Sequence, residues 1–318
     1  MNQTETHKVN DNSQELTRTE FWNALNQNSK IKPDIFDCQF TKSYLAAPEN
    51  YEAIKKSVFE IILGSLPKSE IHSVKTPNDY ERIIEQINGT KSLAIKKNWD
   101  LFVKLEKSVI DELDRLGLTS LIKGIEFPIN VRVAHGRAPE EYKETDYATD
   151  HLHSDLWAGE PDDIINCLMY IDGDLKSTYM ELYNPLESKV AAIASFNGPY
   201  RAFDAKMEGI EKVNYVAQEG QFILFDGVCP HQTIRKGGGA RISIDFRIRR
   251  VDPYKNTEDK PYRSGMWGKY WYLDSKSETF QQRCENELIK LHESRLEVIP
   301  KRTAWITKMN NLSKATAP

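Results

Sequence analysis

The segment from Arg241 to Arg249 alternates strictly between two kinds of side chain. Every second position is apolar, and these positions are Ile242, Ile244, Phe246 and Ile248. A period of two is typical of a β-strand, whose successive side chains point to opposite faces of the sheet. The segment therefore predicts a strand with one face in a hydrophobic core and one polar face.

The rest of the chain changes from helical to strand periodicity near Phe127. Before that residue, the apolar side chains of 51–66 and 99–116 recur every three or four positions, which predicts two amphipathic helices. After it, short apolar runs at 129–133, 164–171, 190–196 and 221–225 are separated by clusters of turn-forming residues, which predicts strands. We expect a mainly β, α+β protein whose core is a sandwich or jelly roll with helices on its flanks.

The chain of 318 residues contains no internal repeat and no flexible linker, which predicts one domain over 18–318. We expect a helical layer at 18–125, a β core at 126–251 and an extension at 252–318. The extension begins with aromatic residues at 254–272 and continues with a helix at 277–292. Residues 1–17 are polar and lack an apolar segment, which predicts a disordered tail in place of a signal peptide and hence a cytoplasmic protein.

The composition argues against several classes of partner. Lys and Arg number 43 and Asp and Glu number 47, so the net charge of −4 gives no basic surface for nucleic acid. No run approaches the roughly 18 apolar residues that cross a bilayer, so no membrane is expected. The four cysteines are far apart, which argues against a disulfide scaffold and a structural zinc site. A small molecule is the expected partner.

Two short motifs are candidates for a metal site. His153 and Asp155 are two residues apart, so on a strand their side chains would point to the same side. His231 follows at a distance and would supply a second imidazole. Two imidazoles and one carboxylate form the donor set of non-haem Fe(II) oxygenases, because they leave coordination positions open for a cosubstrate and oxygen.

A carboxylate-binding pair follows the second histidine. Arg241 lies ten residues after His231, and Ser243 lies on the same face of the predicted strand. A guanidinium and a hydroxyl can together hold a carboxylate.

With these motifs the chain resembles the Fe(II)/2-oxoglutarate-dependent dioxygenases, whose pattern is His-x-Asp, a distal His and then Arg-x-Ser about ten residues later. The sequences HSDLWAGEP from His153 and EGQFILFDG from Glu219 are similar to one branch of that family. This branch includes phytanoyl-CoA hydroxylase and oxygenases of carbohydrate and antibiotic clusters. The resemblance covers residues 127–250.

The resemblance implies a double-stranded β-helix, or jelly roll, with Fe(II) held by His153, Asp155 and His231. It implies that 2-oxoglutarate places its far carboxylate on Arg241 and Ser243, and that O2 is the second cosubstrate. The expected activity is hydroxylation of a small polar metabolite, such as a sugar, an aminoglycoside or an amino-acid derivative, with release of succinate and CO2. Desaturation, ring closure and epimerisation are alternative outcomes, because they begin with the same hydrogen abstraction.

Further candidates for the pocket follow from their positions beside these motifs. Asn166 is a candidate cosubstrate contact, and the candidate substrate contacts are His151, Trp157, Arg132 and Asn130. His151 and His153 could also form the ligand pair in place of His153 and Asp155.

Two rival functions remain at this point: a cupin-like metal enzyme that does not use 2-oxoglutarate, and a metal-free jelly-roll module that binds carbohydrate on its aromatic side chains.

Overall fold

The computed structural model describes residues 16–28, 31–66, 68–69, 71–79, 82, 99–122, 124–127, 129–137, 149–158, 160–196, 200, 208–250 and 269–271. Its helices are α1 (Arg18–Asn28), α2 (Pro48–Ser65), α3 (Trp99–Arg115) and α4 (Glu187–Ser195), with 3-10 turns at Ile71–Ser73 and Asp155–Ala158. Its strands are β1 (Phe36–Cys38), β2 (Thr41–Leu45), β3 (Gly124–Phe127), β4 (Asn130–Ala134), β5 (Ile164–Gly173), β6 (Thr178–Pro185), β7 (Ile210–Lys212), β8 (Gln221–Asp226), β9 (His231–Arg235), β10 (Arg241–Arg249) and β11 (Lys269–Trp271).

The strands form two antiparallel sheets. The larger sheet has the order β1-β2-β8-β5-β10-β3-β11, and β4 pairs with β10 beside β3. The smaller sheet has the order β7-β6-β9. The free edge of β9 is bonded to the segment 149–153, since His153 and His231 form a β-bridge and the Thr233 N–H donates to the Thr149 carbonyl at 2.7 Å. The architecture is thus a β-rich α+β fold.

The apolar positions of β10 lie in the core as predicted, although most of its polar positions are buried as well. Its four apolar side chains are at most 1% exposed and belong to one hydrophobic cluster that also contains the buried faces of α2 and α3. Those two helices pack against each other and confirm the helices predicted from 51–66 and 99–116. The other face of the larger sheet is called the inner face below. By strand register it carries Arg241, Ser243, Asp245 and Arg247 of β10, Asn130 and Arg132 of β4, Asn166 and Tyr170 of β5, and Phe225 of β8.

The predicted strand at 190–196 is wrong, because this part of the chain lies in α4. The sequence from Glu187 to Ser195 contains three alanines, which favour a helix more than any other residue does. Only Ile193 of this helix is buried, so a short apolar run here marks one contact of a surface helix and not a buried strand.

The premise that His153 and Asp155 lie on one strand also needs correction. His153 is an isolated bridge residue, and Asp155 begins a 3-10 turn. Their side chains nevertheless converge, because the turn directs the Asp155 carboxylate back towards the bridge. The two side chains predicted to converge do so, through a local geometry other than the predicted strand.

The structure describes only part of the two chain ends for which a tail and an extension were predicted. Thr17, which was expected in the tail, caps α1: its N–H donates to Glu20 Oε2 at 2.8 Å and its hydroxyl oxygen accepts from the Glu20 N–H at 3.3 Å, as in a capping box. Residues 1–15, the helix expected at 277–292 and the aromatic residues of 254–272 apart from β11 lie outside the described residues. The single domain and its three parts stay a prediction. None of the described helices is long and apolar enough to cross a membrane.

Candidate metal centre

Three side chains with metal-binding atoms converge between the two sheets: His153, Asp155 and His231. The Nε2 atoms of both histidines lie 3.7 Å from Oδ1 of Asp155, and the two ring centroids are 4.3 Å apart. All three side chains are nearly buried, with exposures of 4, 11 and 12% for His153, Asp155 and His231. Within the described residues this is the group of His, Cys, Asp and Glu side chains whose spacing could hold a metal ion.

The backbone brings the two histidines together directly. The N–H of each donates to the carbonyl of the other, with N···O distances of 2.9 and 2.8 Å. Ser154, between the ligands of the first motif, donates its hydroxyl to the Gly227 carbonyl at 2.7 Å. Hydrogen bonds therefore join the segment that carries His153 both to His231 itself and to the loop that leads to it.

Both imidazoles present Nε2 as the free nitrogen. The Nδ1 of His153 lies 2.8 Å from the His151 carbonyl, and the Nδ1 of His231 lies 3.1 Å from the Cys229 carbonyl. A carbonyl only accepts, so Nδ1 carries the proton and Nε2 keeps its lone pair for a metal. Burial, with a contribution from His231, lowers the pKa of His153 to about 3, and burial also lowers the pKa of His231. Both rings are thus neutral at pH 7, as metal binding requires.

Asp155 is ionised in spite of its burial. Burial by itself raises its pKa, but the guanidinium of Arg247 and the two histidines outweigh this and hold the pKa of Asp155 well below its usual value. Arg247 donates from Nε and Nη2 to Oδ2 at 3.1 and 2.9 Å. The donor set therefore consists of two neutral imidazoles and one carboxylate, which suits a divalent ion of the first transition row.

Arg247 belongs to a buried charge cluster that the sequence analysis did not find. Glu126 of β3 accepts from Nη1 of Arg247 at 3.2 Å, and Glu160 lies 3.8 Å from the same nitrogen. Burial raises the pKa of Glu160 to about 8, although Arg247 opposes the shift. The alternation of β10 placed Arg247 on the polar face, and this was the available signal. The acids come from distant segments that no periodicity connects to it.

Aromatic rings cover the two histidines. Tyr200 stacks on His153 with centroids 4.3 Å apart, and Phe225 packs its ring edge-on to His231 at 4.9 Å. Trp157, a candidate substrate contact, is 4% exposed and donates its indole N–H to the Ile193 carbonyl of α4 at 2.8 Å. The structure therefore places Trp157 in the packing that supports Tyr200, whose ring centroid is 6.4 Å from its own.

A second feature of the inner face is a buried cation without a hydrogen-bonded partner. Arg241 is 2% exposed, yet its Nε and Nη1 have no hydrogen-bond partner among the residues that the structure describes. The same holds for the hydroxyl of Ser243 and for Nδ2 of Asn166. Leaving a charged donor buried and unsatisfied is costly, so such a set indicates a site for an anionic ligand.

The neighbours of Arg241 do not supply the missing acceptor. Its guanidinium lies 5.6 Å from the centroid of the Tyr170 ring, and burial lowers its pKa. The Tyr170 hydroxyl is already used, since it accepts from the Met180 N–H at 3.0 Å and lies 3.0 Å from the Tyr215 hydroxyl. Tyr215 in turn donates to the Met180 carbonyl at 2.5 Å. The two tyrosine hydroxyls thus bond to each other and to the Met180 backbone, and the Tyr170 ring lies beside Arg241.

Arg132 and Asn130 meet at a third inner-face residue, Asp245. Arg132 donates to its two carboxylate oxygens at 2.7 and 3.0 Å, and Asn130 Nδ2 lies 3.4 Å from Oδ1. The Arg132 side chain is 42% exposed, so this cluster lies at a rim. Burial is the main cause of the lowered pKa values of His153, His231 and Arg241, and the positive charge of Arg132 contributes to all three. Arg132 is therefore close enough to act electrostatically on the two histidines and on Arg241.

His151 is half-buried and lies outside the donor set. Its backbone carbonyl, as described above, accepts from His153. The ligand pair that the geometry favours is thus His153 with Asp155, and not His151 with His153.

Comparison with known proteins gives distant structural similarity only. No family model matches the sequence, and no curated protein is similar enough to match. A solved structure of an N-substituted L-amino acid dioxygenase from Burkholderia ambifaria AMMD is 13% identical, with a TM-score of 0.33 over 65% of this chain and 82% of that chain. The alpha-ketoglutarate-dependent epimerase SnoN from nogalamycin biosynthesis is 8% identical, with a TM-score of 0.33 over 75% and 87% of the two chains.

A third similar structure is the Kdo hydroxylase KdoO in complex with cobalt(II), described as a non-heme Fe(II) alpha-ketoglutarate-dependent dioxygenase. It is 13% identical, with a TM-score of 0.34 over 71% of this chain and 93% of that chain. At such identities and TM-scores, the function of the chain has to be argued from its own side chains.

Proposed function

We propose that this chain is a non-haem Fe(II)- and 2-oxoglutarate-dependent oxygenase with a jelly-roll core. The observation that carries the proposal is the buried guanidinium of Arg241, unsatisfied within the described residues, on the same face of β10 as Arg247, which is bonded to the metal donor Asp155. A metal site alone suits many enzymes. A metal site beside a buried cation suits a cosubstrate that chelates the metal at one end and has a carboxylate at the other.

The donor set fits Fe(II). His153 and His231 would bind through Nε2 and Asp155 through Oδ1, and in the described residues no fourth donor closes the set. When bound, Fe(II) supplies coupled oxidation of the 2-oxo acid and the substrate: 2-oxoglutarate, O2 and R–H give succinate, CO2 and R–OH. The protein holds both imidazoles neutral, keeps Asp155 ionised and covers the histidines with Tyr200 and Phe225, which excludes water from that side.

The inner face fits 2-oxoglutarate. Arg241 offers two unused nitrogens and Ser243 an unused hydroxyl, which together would hold the far carboxylate by charge-assisted hydrogen bonds. The free Nδ2 of Asn166 is a further donor towards the cosubstrate. Within the described residues nothing else satisfies these groups, so the site is organised for an anion before the ligand arrives.

The substrate that we propose is a small polar metabolite, such as a sugar, an aminoglycoside or an amino-acid derivative. Arg132, Asn130 and Asp245 put hydrogen-bonding groups of both charges at the rim, and His151 lies beside the donor set. Hydroxylation is the outcome that we propose. Membership of the phytanoyl-CoA hydroxylase-like branch and a cytoplasmic location stay predictions from the sequence.

Succinate formation tests the function. The full chain is loaded anaerobically with Fe(II) and 2-oxoglutarate, exposed to O2, and assayed for succinate. We expect the wild type and His72→Ala, which alters an exposed histidine outside the site, to release succinate, and His231→Ala to give no more than free Fe(II) gives.

Iron content, 2-oxoglutarate binding and carbohydrate binding, measured on the same chain, separate the rival functions. A chain that binds iron but neither binds nor consumes 2-oxoglutarate would be a cupin-like metal enzyme. A chain that binds no iron but binds carbohydrate would be a jelly-roll binding module. Either result would contradict the proposal.

A further inference from the structure

The two oxygens of the Asp155 carboxylate have different partners, because Arg247 contacts only one of them. Its Nε and Nη2 lie 3.1 and 2.9 Å from Oδ2, whereas the Nε2 atoms of both histidines lie 3.7 Å from Oδ1. The Arg247 and Asp155 side chains are 17 and 11% exposed. One oxygen thus faces the metal donors, and a charge-assisted fork holds the other.

Glu126 binds both the backbone and the guanidinium of Arg247. Its Oε2 accepts from the backbone N–H of Arg247 at 3.1 Å and from Nη1 at 3.2 Å, and its Oε1 lies 3.4 Å from the same Nη1. The Glu126 side chain is 1% exposed. Because Glu126 contacts both the main chain and the guanidinium, a turn of Arg247 away from Asp155 would break buried charge-assisted contacts.

A carboxylate that rotates freely can give a metal one oxygen or both, and the second mode takes an additional coordination position. We propose that Arg247 is a positioning residue of the metal centre, which restricts Asp155 to coordination through Oδ1. This inference rests on the proposed function, because it has content only if His153, Asp155 and His231 bind a metal. Binding of the cosubstrate does not explain Arg247, since its guanidinium is already engaged by Asp155 and Glu126.

Co(II) binding to the full chain under anaerobic conditions tests the role, with the visible absorption of the bound ion as the readout. Arg247→Met removes the fork and keeps much of the side-chain volume. Arg249→Met is a matched control: Arg249 lies two residues further along β10, its side chain is 8% exposed, and its Nε is paired with a buried carboxylate, Asp163, at 2.5 Å. Urea unfolding of each variant measures the stability that the lost ion pair costs.

We expect Arg247→Met to weaken Co(II) binding by about 10- to 100-fold, the usual effect of removing a group that orients a metal ligand. The spectrum of the bound Co(II) changes as well, because the number of oxygen donors changes. Arg249→Met loses stability but keeps the affinity and the spectrum of the wild type. Arg247→Lys recovers part of the affinity, since an ammonium supplies the charge without the planar fork.

An Arg247→Met variant with the affinity and spectrum of the wild type would overturn the positioning role and leave the metal site standing. Failure of the wild type to bind Co(II) would instead contradict the proposed function, and the role of Arg247 with it. If Arg247→Met does not fold, Arg247→Met/Glu126→Gln also neutralises the buried carboxylate that has lost its contact with the guanidinium. This double variant is then compared with Arg249→Met in the same two readouts.

Discussion

At the scale of single residues, the backbone orients both histidines of the donor set. Each ring donates its Nδ1 proton to the carbonyl of the residue two positions earlier, at His151 and at Cys229. Both histidines therefore make the same ring-to-backbone contact, although they lie far apart in sequence. The side chain of His151 has no part in this contact, which its main chain alone provides.

His151→Ala therefore tests the ligand assignment against its nearest alternative. We expect it to bind Co(II) like the wild type, because alanine keeps the carbonyl that accepts from His153. His153→Ala should weaken binding by more than about 100-fold, since losing a ligand costs more than losing a group that orients one. Anaerobic titration of Co(II) measures both. If His151→Ala lost the metal and His153→Ala kept it, the assignment would be wrong.

At the scale of elements, an irregularity in β5 shapes the space beside Arg241. The pairing of β10 with β5 shifts between Ile242 and Ser243, so that Ser243 lies opposite Tyr170 while Arg241 lies opposite Gly173. Gly173 has a φ of +105°, and a Cβ there would lie 2.2 Å from the Ala240 carbonyl oxygen. The approach of the two strands at Arg241 thus depends on a residue without a side chain.

Gly173→Ala and Gly220→Ala separate backbone strain from steric clash. Both glycines have positive φ, but a Cβ at Gly220 would only touch the Tyr51 ring at 3.5 Å. We expect Gly220→Ala to lose about 1 kcal/mol of unfolding free energy, from conformation alone. Gly173→Ala should lose more than about 2 kcal/mol, because the clash adds to that strain. Urea unfolding measures the two losses, and equal values would show that the close approach is not needed.

The elements also show what the sequence could predict. Helices α2 and α3 and strand β10 follow from their periodicity, because the apolar side chains of each lie on one face and are buried in the core. The strand predicted at 190–196 was wrong, since a short apolar run does not distinguish a strand from a surface helix with one buried contact. His153, Asp155 and His231 were found from motifs, whereas Glu126 was not: its contact with Arg247 depends on strand register.

At the scale of the molecule, Asp226 connects α1 to the loop that carries His231. Its carboxylate accepts from Arg18 at 2.9 Å and from the Trp22 indole at 3.1 Å, and it also accepts from the Val228 N–H at 3.1 Å. Asp226 is fully buried. A helix outside the sheets is thus bonded to the turn that precedes His231.

Asp226→Ala should therefore destabilise the fold by about 3 to 5 kcal/mol, as breaking a buried ion pair does. Glu187→Gln is the control, because Glu187 also links α1 to the body, through a hydrogen bond from Thr19 at 2.8 Å, but is exposed. We expect this control to cost less than about 1 kcal/mol. Urea unfolding compares the two, and similar losses would mean that Asp226 does not anchor α1.

We propose that one pocket binds Fe(II) and the far carboxylate of 2-oxoglutarate together. Titration of 2-oxoglutarate into the anaerobic Fe(II)-loaded chain, followed by the visible metal-to-ligand charge-transfer band, tests it most directly. The wild type should develop a saturable band. Arg241→Ala should bind 2-oxoglutarate about 10- to 100-fold more weakly, since a hydrogen bond to a charged group contributes about 1.5 to 3 kcal/mol, and Arg241→Lys should fall between. Absence of the band in the wild type, or an Arg241→Ala variant that titrates like the wild type, would contradict the account.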